Sequence, residues 1–250
     1  MSLTQEIKDT IELLKQTDIN GCITGSSMLD ENFDTWDQHP DIDVFVYTEM
    51  QLLYASDLLM FKHGFKLLNA GENWKFDRVR NRGSQKKAFL TTLKLKRDDV
   101  VVNITFKNSK TNIMSVLASF DMTNIMIGYD IPFGWGIDMR TRDIKVFDDK
   151  DDKWSDDPKV CKPNPMRRQD VDMYGTEMWV RQFDRVIKYW NRGYDTRPMA
   201  RFYIKLITEV IETGQLFNSD KSTEAYQMFV NAYEPLRDKM VQWLNDKEDC

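Results

Sequence analysis

A chain of 250 residues is long enough to bury one good core, or a core with an appended lobe, and is too short for three ordinary domains. Hydrophobic residues at 41%, charged residues at 30% and aromatic residues at 12% are typical of a folded protein and exclude a disordered or fibrous one. The formal net charge of -5 argues against nonspecific coating of duplex nucleic acid, which needs a broad surplus of Lys and Arg, but it is compatible with a local basic groove.

Cysteine content and hydropathy indicate the compartment. Cys22, Cys161 and Cys250 are too few and too scattered for a disulfide framework or a zinc site, which favours a reducing cytoplasm. The sequence shows no classical signal-peptide pattern and no run of the roughly 20 apolar residues that a membrane span needs. We therefore expect a cytoplasmic protein with no membrane segment.

The first half of the sequence predicts a mixed β-sheet flanked by helices. Helical spacing of apolar residues predicts helices at 4–16, 49–62 and 112–119. Runs of β-branched and aromatic residues predict strands at 22–24, 42–47, 75–80, 87–96, 100–106, 122–129 and 136–139. The turn-prone Arg97-Asp98-Asp99 predicts a hairpin between 87–96 and 100–106, and residues 30–40 form a polar excursion. We expect these strands to belong to one sheet that is complete near residue 147.

The second half predicts a helical lobe. Residues 148–165 combine an acidic run with three prolines and no apolar period, which predicts a surface linker. Beyond it, apolar spacing predicts helices at 174–191, 198–213 and 222–245, with Gly193 and Gly214 as stops. The predicted fold class is therefore α+β, with a sheet domain at 1–147, a linker at 148–165 and an all-helical C-terminal lobe at 166–250.

Two short motifs in the sheet domain carry the chemistry. Asp41 and Asp43 stand at the start of the predicted strand 42–47, where residues i and i+2 project to the same face and place two carboxylates side by side. Carboxylates are the hard oxygen ligands that Mg²⁺ prefers. Upstream, Gly25-Ser26-Ser27 lie between a strand and a short helix, where a glycine backbone and free N–H groups allow phosphate to approach closely. Metal-binding carboxylates beside a phosphate-binding turn are what nucleotidyl transfer requires.

The order Gly25-Ser26 followed by Asp41-Ile42-Asp43 resembles the DNA polymerase beta-like nucleotidyltransferase superfamily, whose pattern is Gly-Ser on a short helix and Asp-x-Asp on the next strand. The match covers Thr24–Phe45 directly and extends by element order to about the first half of the chain. The resemblance implies a nucleotidyltransferase-type sheet, a nucleoside triphosphate held at Gly25 and Ser26, and Mg²⁺ or Mn²⁺ bound by Asp41 and Asp43.

Two further segments, 119–130 and 185–194, are similar to segments in phage and viral proteins that share a nucleotidyltransferase-like head. That similarity implies a phage or viral source and identifies no substrate.

The sequence departs from the family pattern at the third carboxylate. The family carries this acid on a neighbouring strand, and the matching segment here, 102–106, offers Asn103. An amide oxygen ligates Mg²⁺ but cannot act as a base for the attacking hydroxyl, so two-metal catalysis is expected to be slowed or lost. Asp99 lies on the same side of that strand but about 13 Å away, which makes it a poor substitute. The spacer of fourteen residues between Ser26 and Asp41 is also long for the family.

Two basic side chains are candidate phosphate ligands. Lys94 shares a strand face with Lys96, and Lys188 shares a helix face with Arg185 and Arg192 at i, i+3 and i+7 spacing. The alternative for each is an ordinary solvated charge.

The sequence supports two main hypotheses. The first is a metal-dependent nucleotidyltransferase that transfers a nucleoside monophosphate from a nucleoside triphosphate to RNA, a protein or a small molecule, with Asp41, Asp43 and Asn103 in its active site. The second is a degraded member of the same fold that binds nucleotide or nucleic acid without turnover, and Asn103 favours it. A structural phage component that carries the motif is a more distant third.

Overall fold

A computed structural model describes residues 2–29, 39–71, 77–81, 84–88, 90–141, 155–164, 176–217 and 219–248. The chain divides into two compact units. The first comprises Met1–Phe120 with Ile125–Val146, and the second comprises Asp121–Asn124 with Phe147–Cys250. Sheet and helix both contribute, so the predicted α+β class is confirmed.

The first unit contains the strands and the shorter helices. The helices are α1 (Leu3–Lys15), α2 (Glu49–Asp57) and α3 (Ile113–Leu117). The strands are β1 (Gly21–Thr24), β2 (Ile42–Val46), β3 (Lys66–Gly71), β4 (Asp77–Asn81), β5 (Ser84–Ala88), β6 (Leu90–Arg97), β7 (Val100–Lys107), β8 (Ile127–Asp130) and β9 (Trp135–Asp138). A 3₁₀ turn at Gly25–Met28 follows β1, and a π-helical turn at Leu58–Lys62 extends α2.

Helix α1 forms where its sequence predicts it. The Ser2 hydroxyl accepts a hydrogen bond from the Gln5 backbone N–H at the helix start, which satisfies one of the free donors there. Ile7, Ile11 and Leu14 recur at helical spacing and are buried in the sheet core. The helix is therefore held by its apolar face rather than by intrinsic propensity.

Within the described residues, seven strands form one mixed sheet in the order β3-β6-β7-β2-β1-β8-β9. Strands β2 and β7 pair in parallel, and the other neighbours pair antiparallel. The predicted hairpin between β6 and β7 is present, and Asp98 in its turn has a positive φ of 53°.

The assignment of every predicted strand to one sheet is wrong. Strands β4 and β5 pair with each other in a separate two-stranded sheet. Their sequences are dominated by charged and polar residues, so the pattern indicates extended backbone but gives no apolar face to fix a partner. The sequence does not predict strand β3, which lies at the edge of the large sheet. Of the predicted strand 122–129, only the last residues form a strand, as part of β8.

The two faces of the central strands differ in character. Ile42, Val44 and Val46 of β2 are buried with α1 and α2 in the main core, whereas the alternating residues Asp43 and Phe45 are only partly buried. This alternation follows from the two-residue period of a strand. The face of the sheet turned away from the main core is therefore the one that carries Asp43.

The second unit is helical. Its helices are α4 (Thr176–Asn191), α5 (Arg197–Thr213) and α6 (Glu224–Glu248). Gly193 and Gly214 have positive φ values of 82° and 65°, as their predicted role as helix stops requires.

The described part of the predicted linker, residues 155–164, is packed within the second unit. Cys161 and Asn164 are fully buried, and the Cys161 thiol donates to the Asn124 side chain at 3.0 Å. The Thr123 backbone N–H donates to the Lys162 carbonyl at 2.9 Å. Residues 155–164 therefore pack against other residues of the second unit, although their acidic and proline-containing sequence predicts a surface linker.

Candidate functional site

The register of three strands places the central site residues in one row. Asp43 of β2 lies opposite Asn103 of β7 in the parallel pair, and Asn103 lies opposite Lys94 of β6 in the hairpin. Residues directly opposite each other in a sheet project to the same face, about 5 Å apart. Asp43 thus shares the sheet face turned away from the main core with Lys94 and Asn103, which lie at least 50 residues further along the chain.

Hydrogen bonds join this row to Asp41, which precedes β2. The Asn103 amide nitrogen donates to Asp41 Oδ2 at 3.2 Å and to Asp43 Oδ1 at 3.0 Å. The Lys94 ammonium donates to Asp41 Oδ2 at 3.0 Å. The Asn103 amide therefore bridges two carboxylates that would repel each other, and the Lys94 ammonium neutralises charge on Asp41.

The cluster is accessible to solvent. The side chains of Lys94 and Asp41 are 42% and 41% exposed, and Asp43 and Asn103 are partly buried. An ion pair this exposed is worth about 0–1 kcal/mol, so a small charged ligand can displace it at little cost.

Gly25 brings the Gly-Ser turn directly against the carboxylates. A Cβ atom built on Gly25 would lie 3.2 Å from Asp43 Oδ2, and the Gly25 φ of +80° is a conformation that favours glycine. Thr24, just before it, pairs with Asp43 across β1 and β2. The two motifs of the predicted site are therefore neighbours in space.

The two serines of the turn have different surroundings. Ser27 is buried, and its hydroxyl donates to the Thr24 carbonyl at 3.2 Å. Ser26 is partly exposed, which leaves its hydroxyl the more accessible of the two to a phosphate. A role for Gly25, Ser26 and Ser27 in nucleotide binding stays a prediction.

Thr24 is a site neighbour that the sequence pattern did not single out. Its side chain is fully buried, and its hydroxyl has no hydrogen-bond partner among the residues that the structure describes. An unsatisfied buried hydroxyl costs about 1–3 kcal/mol, so this polar atom next to Asp43 is not explained by packing. Only the β1–β2 register, which the sequence alone does not give, reveals its position.

The predicted substitute for the missing carboxylate is engaged elsewhere. Asp99 lies in the turn between β6 and β7, where its carboxylate pairs with Lys96 at 3.3 Å. Asn103 lies four residues further along β7. Asp99 therefore does not join Asp41 and Asp43 in the cluster around Asn103.

The predicted basic face of the helix at 185–192 belongs to the second unit. Arg185 pairs with Asp121 at 2.6 Å, and Arg192 is buried beside the Tyr189 ring. Lys188 is exposed on α4. Two of these three cations thus serve the packing of their own unit, and phosphate binding by Lys188 stays a prediction.

The donor set suits a single hard cation. Asp41 and Asp43 offer carboxylate oxygens, and Asn103 offers an amide oxygen once its side chain turns over. In the part of the chain that the structure describes, no group of three or more His, Cys, Asp or Glu side chains is placed to hold a metal. Asp41, Asp43 and Asn103 are thus the oxygen donors that this cluster offers to a hard cation such as Mg²⁺ or Mn²⁺.

In comparisons with known proteins, no protein-family model matches the chain, and no curated protein matches it. Across the described ranges, no helix has the length and apolar character needed to cross a membrane. We therefore infer function from the contacts of Asp41, Asp43, Asn103 and Lys94.

Proposed function

We propose that this chain is a Mg²⁺- or Mn²⁺-dependent nucleotidyltransferase that acts on a nucleoside triphosphate. The observation that carries the proposal is the contact between the two motifs, in which Gly25 packs against the Asp43 carboxylate while Asn103 joins Asp43 to Asp41. A tight glycine turn beside paired carboxylates on an accessible sheet face provides adjacent sites for phosphate and for a cation.

The proposed reaction replaces one bond at the α-phosphorus. An acceptor hydroxyl of RNA, a protein or a small molecule forms the new P–O bond, the bond to the bridging oxygen breaks, and pyrophosphate and a proton leave. Asp41 and Asp43 would hold the cation, which neutralises phosphate charge when bound. The turn at Gly25 and Ser26 would position the triphosphate, and Lys94 would add positive charge at Asp41.

A second function has its own supporting observation. Asn103 donates to both carboxylates and, being an amide, cannot accept the proton of the attacking hydroxyl. A protein that binds nucleotide without turnover needs no such base. Nucleotide or nucleic-acid binding by a degraded site is therefore the alternative.

The decisive experiment combines transfer with binding. Purified protein is incubated with each labelled triphosphate, Mg²⁺ or Mn²⁺, and total RNA or lysate, and Mn²⁺-dependent nucleotide binding is measured by calorimetry. In the double variant Asp41→Asn/Asp43→Asn we expect transfer to fall at least about 100-fold, because several kcal/mol of charge stabilisation are lost. Asp99→Asn, which removes an exposed carboxylate in the turn between β6 and β7, is the matched control and should retain activity.

The outcomes separate the two functions. Transfer that depends on Asp41 and Asp43 supports the enzyme. Mn²⁺-dependent nucleotide binding with no transfer to any acceptor supports the binding protein. Transfer that is unchanged in the double variant, or the lack of both transfer and binding, contradicts the site.

A further inference from the structure

The most basic part of the sequence includes strands β4 and β5. Residues 75–97 contain nine Lys and Arg residues and one Asp, whereas the whole chain has a net charge of -5. The remainder of the chain is therefore strongly acidic. Charge that is segregated to this extent within one sequence indicates that the basic segment has an anionic partner.

The register of β4 and β5 collects most of their positive charge on one face. Arg78 lies opposite Lys87, and Arg80 lies opposite Gln85. Residues that are opposite each other, or two apart along one strand, lie on the same face of a sheet. These four residues, three cations and one amide, are called the basic face below. Lys86 lies on the other face of the hairpin.

The basic face lowers the stability of the hairpin that carries it. Like charges directly opposite each other, as at Arg78 and Lys87, are destabilising. A two-stranded sheet is marginally stable on its own, and among the described strands β4 and β5 pair only with each other. Hairpin stability therefore does not explain the arrangement, whereas a bound anion would offset the repulsion.

Chain connectivity places the hairpin at one end of the β3–β6 pair. Gly71, at the end of β3, lies opposite Thr92, near the start of the antiparallel strand β6. Strands β4 and β5 come between β3 and β6 in sequence, so the two-stranded sheet extends from that end of the large sheet. Lys94 of the candidate site is the sixth residue after Ala88, the last residue of β5, a span of at most about 22 Å. One strand of nucleic acid is long enough to contact both.

A nucleic-acid backbone is the polyanion that this geometry fits. Cations two residues apart along a strand are separated by about 7 Å, which is comparable with the spacing of successive phosphates in a nucleic-acid strand. Two of the three cations are arginines, whose planar guanidinium group binds phosphate oxygens through paired hydrogen bonds. A two-stranded β-ribbon is also an element with which proteins contact nucleic acids.

We infer that the basic face of the β4–β5 hairpin binds the phosphodiester backbone of a nucleic acid. Phosphates are common to all sequences, so this binding should not depend on base sequence. The binding itself does not rest on the proposed nucleotidyl transfer. It makes a nucleic acid, rather than a protein or a small molecule, the acceptor of that transfer, and this second role does rest on the proposed function.

Binding is tested in EDTA and without nucleotide. The full chain is titrated into fluorescently labelled oligouridylate or oligothymidylate, and the fluorescence anisotropy is measured at several salt concentrations. We expect the logarithm of the association constant to fall with the logarithm of the salt concentration with a slope of about -2, since three phosphates are contacted. Tighter binding of oligouridylate identifies RNA as the source of the phosphates, and tighter binding of oligothymidylate identifies DNA.

Variants of the basic face test where the nucleic acid binds. Arg78→Gln/Arg80→Gln/Lys87→Gln should weaken binding at least about tenfold and remove most of its salt dependence, because release of counterions supplies the affinity. Arg78→Lys/Arg80→Lys keeps the charge and should retain most of the affinity. Lys86→Gln, on the other face of the same hairpin, is the matched control and should also retain it. Circular dichroism should show an unchanged fold in all three variants.

The acceptor role is tested by steady-state transfer to the oligonucleotide that binds more tightly. The triple glutamine variant should raise the KM for this acceptor at least about tenfold and affect kcat less. An unchanged KM would exclude the acceptor role. A wild-type protein that binds the oligonucleotide in EDTA but transfers no nucleotide to it would contradict the proposed function and would still support binding by the basic face.

Three results would overturn the inference. The full chain would bind neither oligonucleotide at low salt. The triple glutamine variant would bind as tightly as the wild type, or Lys86→Gln would lose as much affinity as the triple variant. Polyglutamate at the same concentration of charges would displace the oligonucleotide as well as unlabelled oligonucleotide does, which would show a general attraction for polyanions.

Discussion

Asn103 determines the electrostatic state of the candidate site. Its amide nitrogen donates to both Asp41 and Asp43, so a neutral donor stands between the two carboxylates. The amide therefore offsets part of the repulsion between the two carboxylates. A third acid at this position would concentrate negative charge that only a bound ion could neutralise.

Asn103→Asp should make the stability of the first unit depend on a divalent ion. In EDTA we expect the free energy of unfolding to fall by about 1–3 kcal/mol, since two hydrogen bonds are lost and like charges are added. Mn²⁺ should restore most of this loss by binding the folded state alone. Urea unfolding with and without Mn²⁺ measures the effect.

Asn103→Ala is the control for this change. It removes the same hydrogen bonds without adding charge, so Mn²⁺ should recover less of its stability than it recovers in Asn103→Asp. Equal responses of the two variants to Mn²⁺ would contradict cation binding at this position.

At the scale of single elements, strand β6 offers a matched pair of lysines. Lys94 pairs with Asp41 and Lys96 pairs with Asp99, and both side chains are partly exposed on the same strand. Only the first of these ion pairs involves a predicted metal ligand. The two lysines therefore separate an effect on the site from a general effect of surface charge.

Lys94→Met should raise the affinity of the nucleotide-free protein for Mn²⁺ about twofold to fivefold. The cation no longer has to displace the ammonium group from Asp41, and an exposed ion pair is worth up to about 1 kcal/mol. In the presence of Mn²⁺ the same variant should bind nucleotide more weakly, because a phosphate partner is lost. Calorimetric titrations with Mn²⁺ and with nucleotide measure the two effects. The control Lys96→Met should change neither affinity. Equal affinities in Lys94→Met and Lys96→Met would contradict competition between Lys94 and the cation for Asp41.

The elements that were predictable from sequence are those whose pattern is local. The apolar spacing of Ile7, Ile11 and Leu14 predicts α1, and the turn around Asp98 predicts the β6–β7 hairpin. The sequence pattern does not predict strand β3, whose neighbouring residues Leu67 and Leu68 are both exposed and so do not alternate between buried and exposed. The pairing partners of β4 and β5 depend on tertiary contacts. Polar strands lack the alternation of apolar and polar residues from which a partner could be predicted.

The site was predictable to a similar extent. The spacing of Asp41 and Asp43, together with the resemblance that adds Asn103, predicts these three residues as one site, and the structure brings them into contact. The donation by Asn103 to both carboxylates and the Lys94–Asp41 pair depend on the register of three strands. A register is set by the packing of the whole sheet, so no short window of sequence contains it.

At the scale of the whole molecule, buried thiols are expected to set an alkaline limit on stability. Burial raises the pKa of Cys22 from an ordinary value of 9.0 to about 12, and it also raises the pKa of Cys161. The folded state favours the neutral Cys22 thiol. Its contribution to the free energy of unfolding is therefore fully present below pH 9 and is lost as the pH rises toward about 12.

The free energy of unfolding should therefore decrease above pH 9. The decrease per buried thiol approaches about 1.4 kcal/mol per pH unit. Urea unfolding between pH 8 and 11 measures it, and the difference between wild type and Cys22→Ala isolates one thiol from the tyrosines and lysines that also titrate there. Parallel pH profiles for the two proteins would argue against this origin.

The parallel pairing of β2 with β7 also bears on how the molecule folds. Asp43 and Asn103 are 60 residues apart in the chain, and none of the described strands between β2 and β7 in sequence pairs with β2. Closing such a long loop costs chain entropy before its contacts are gained, so this pairing is expected to be a slow, late step. An early intermediate with β1 paired to β2 alone would have Asp43 without Asn103 beside it. A ligand that binds all of these groups would therefore slow unfolding without speeding folding. It binds only after β2 has paired with β7, which is a late step.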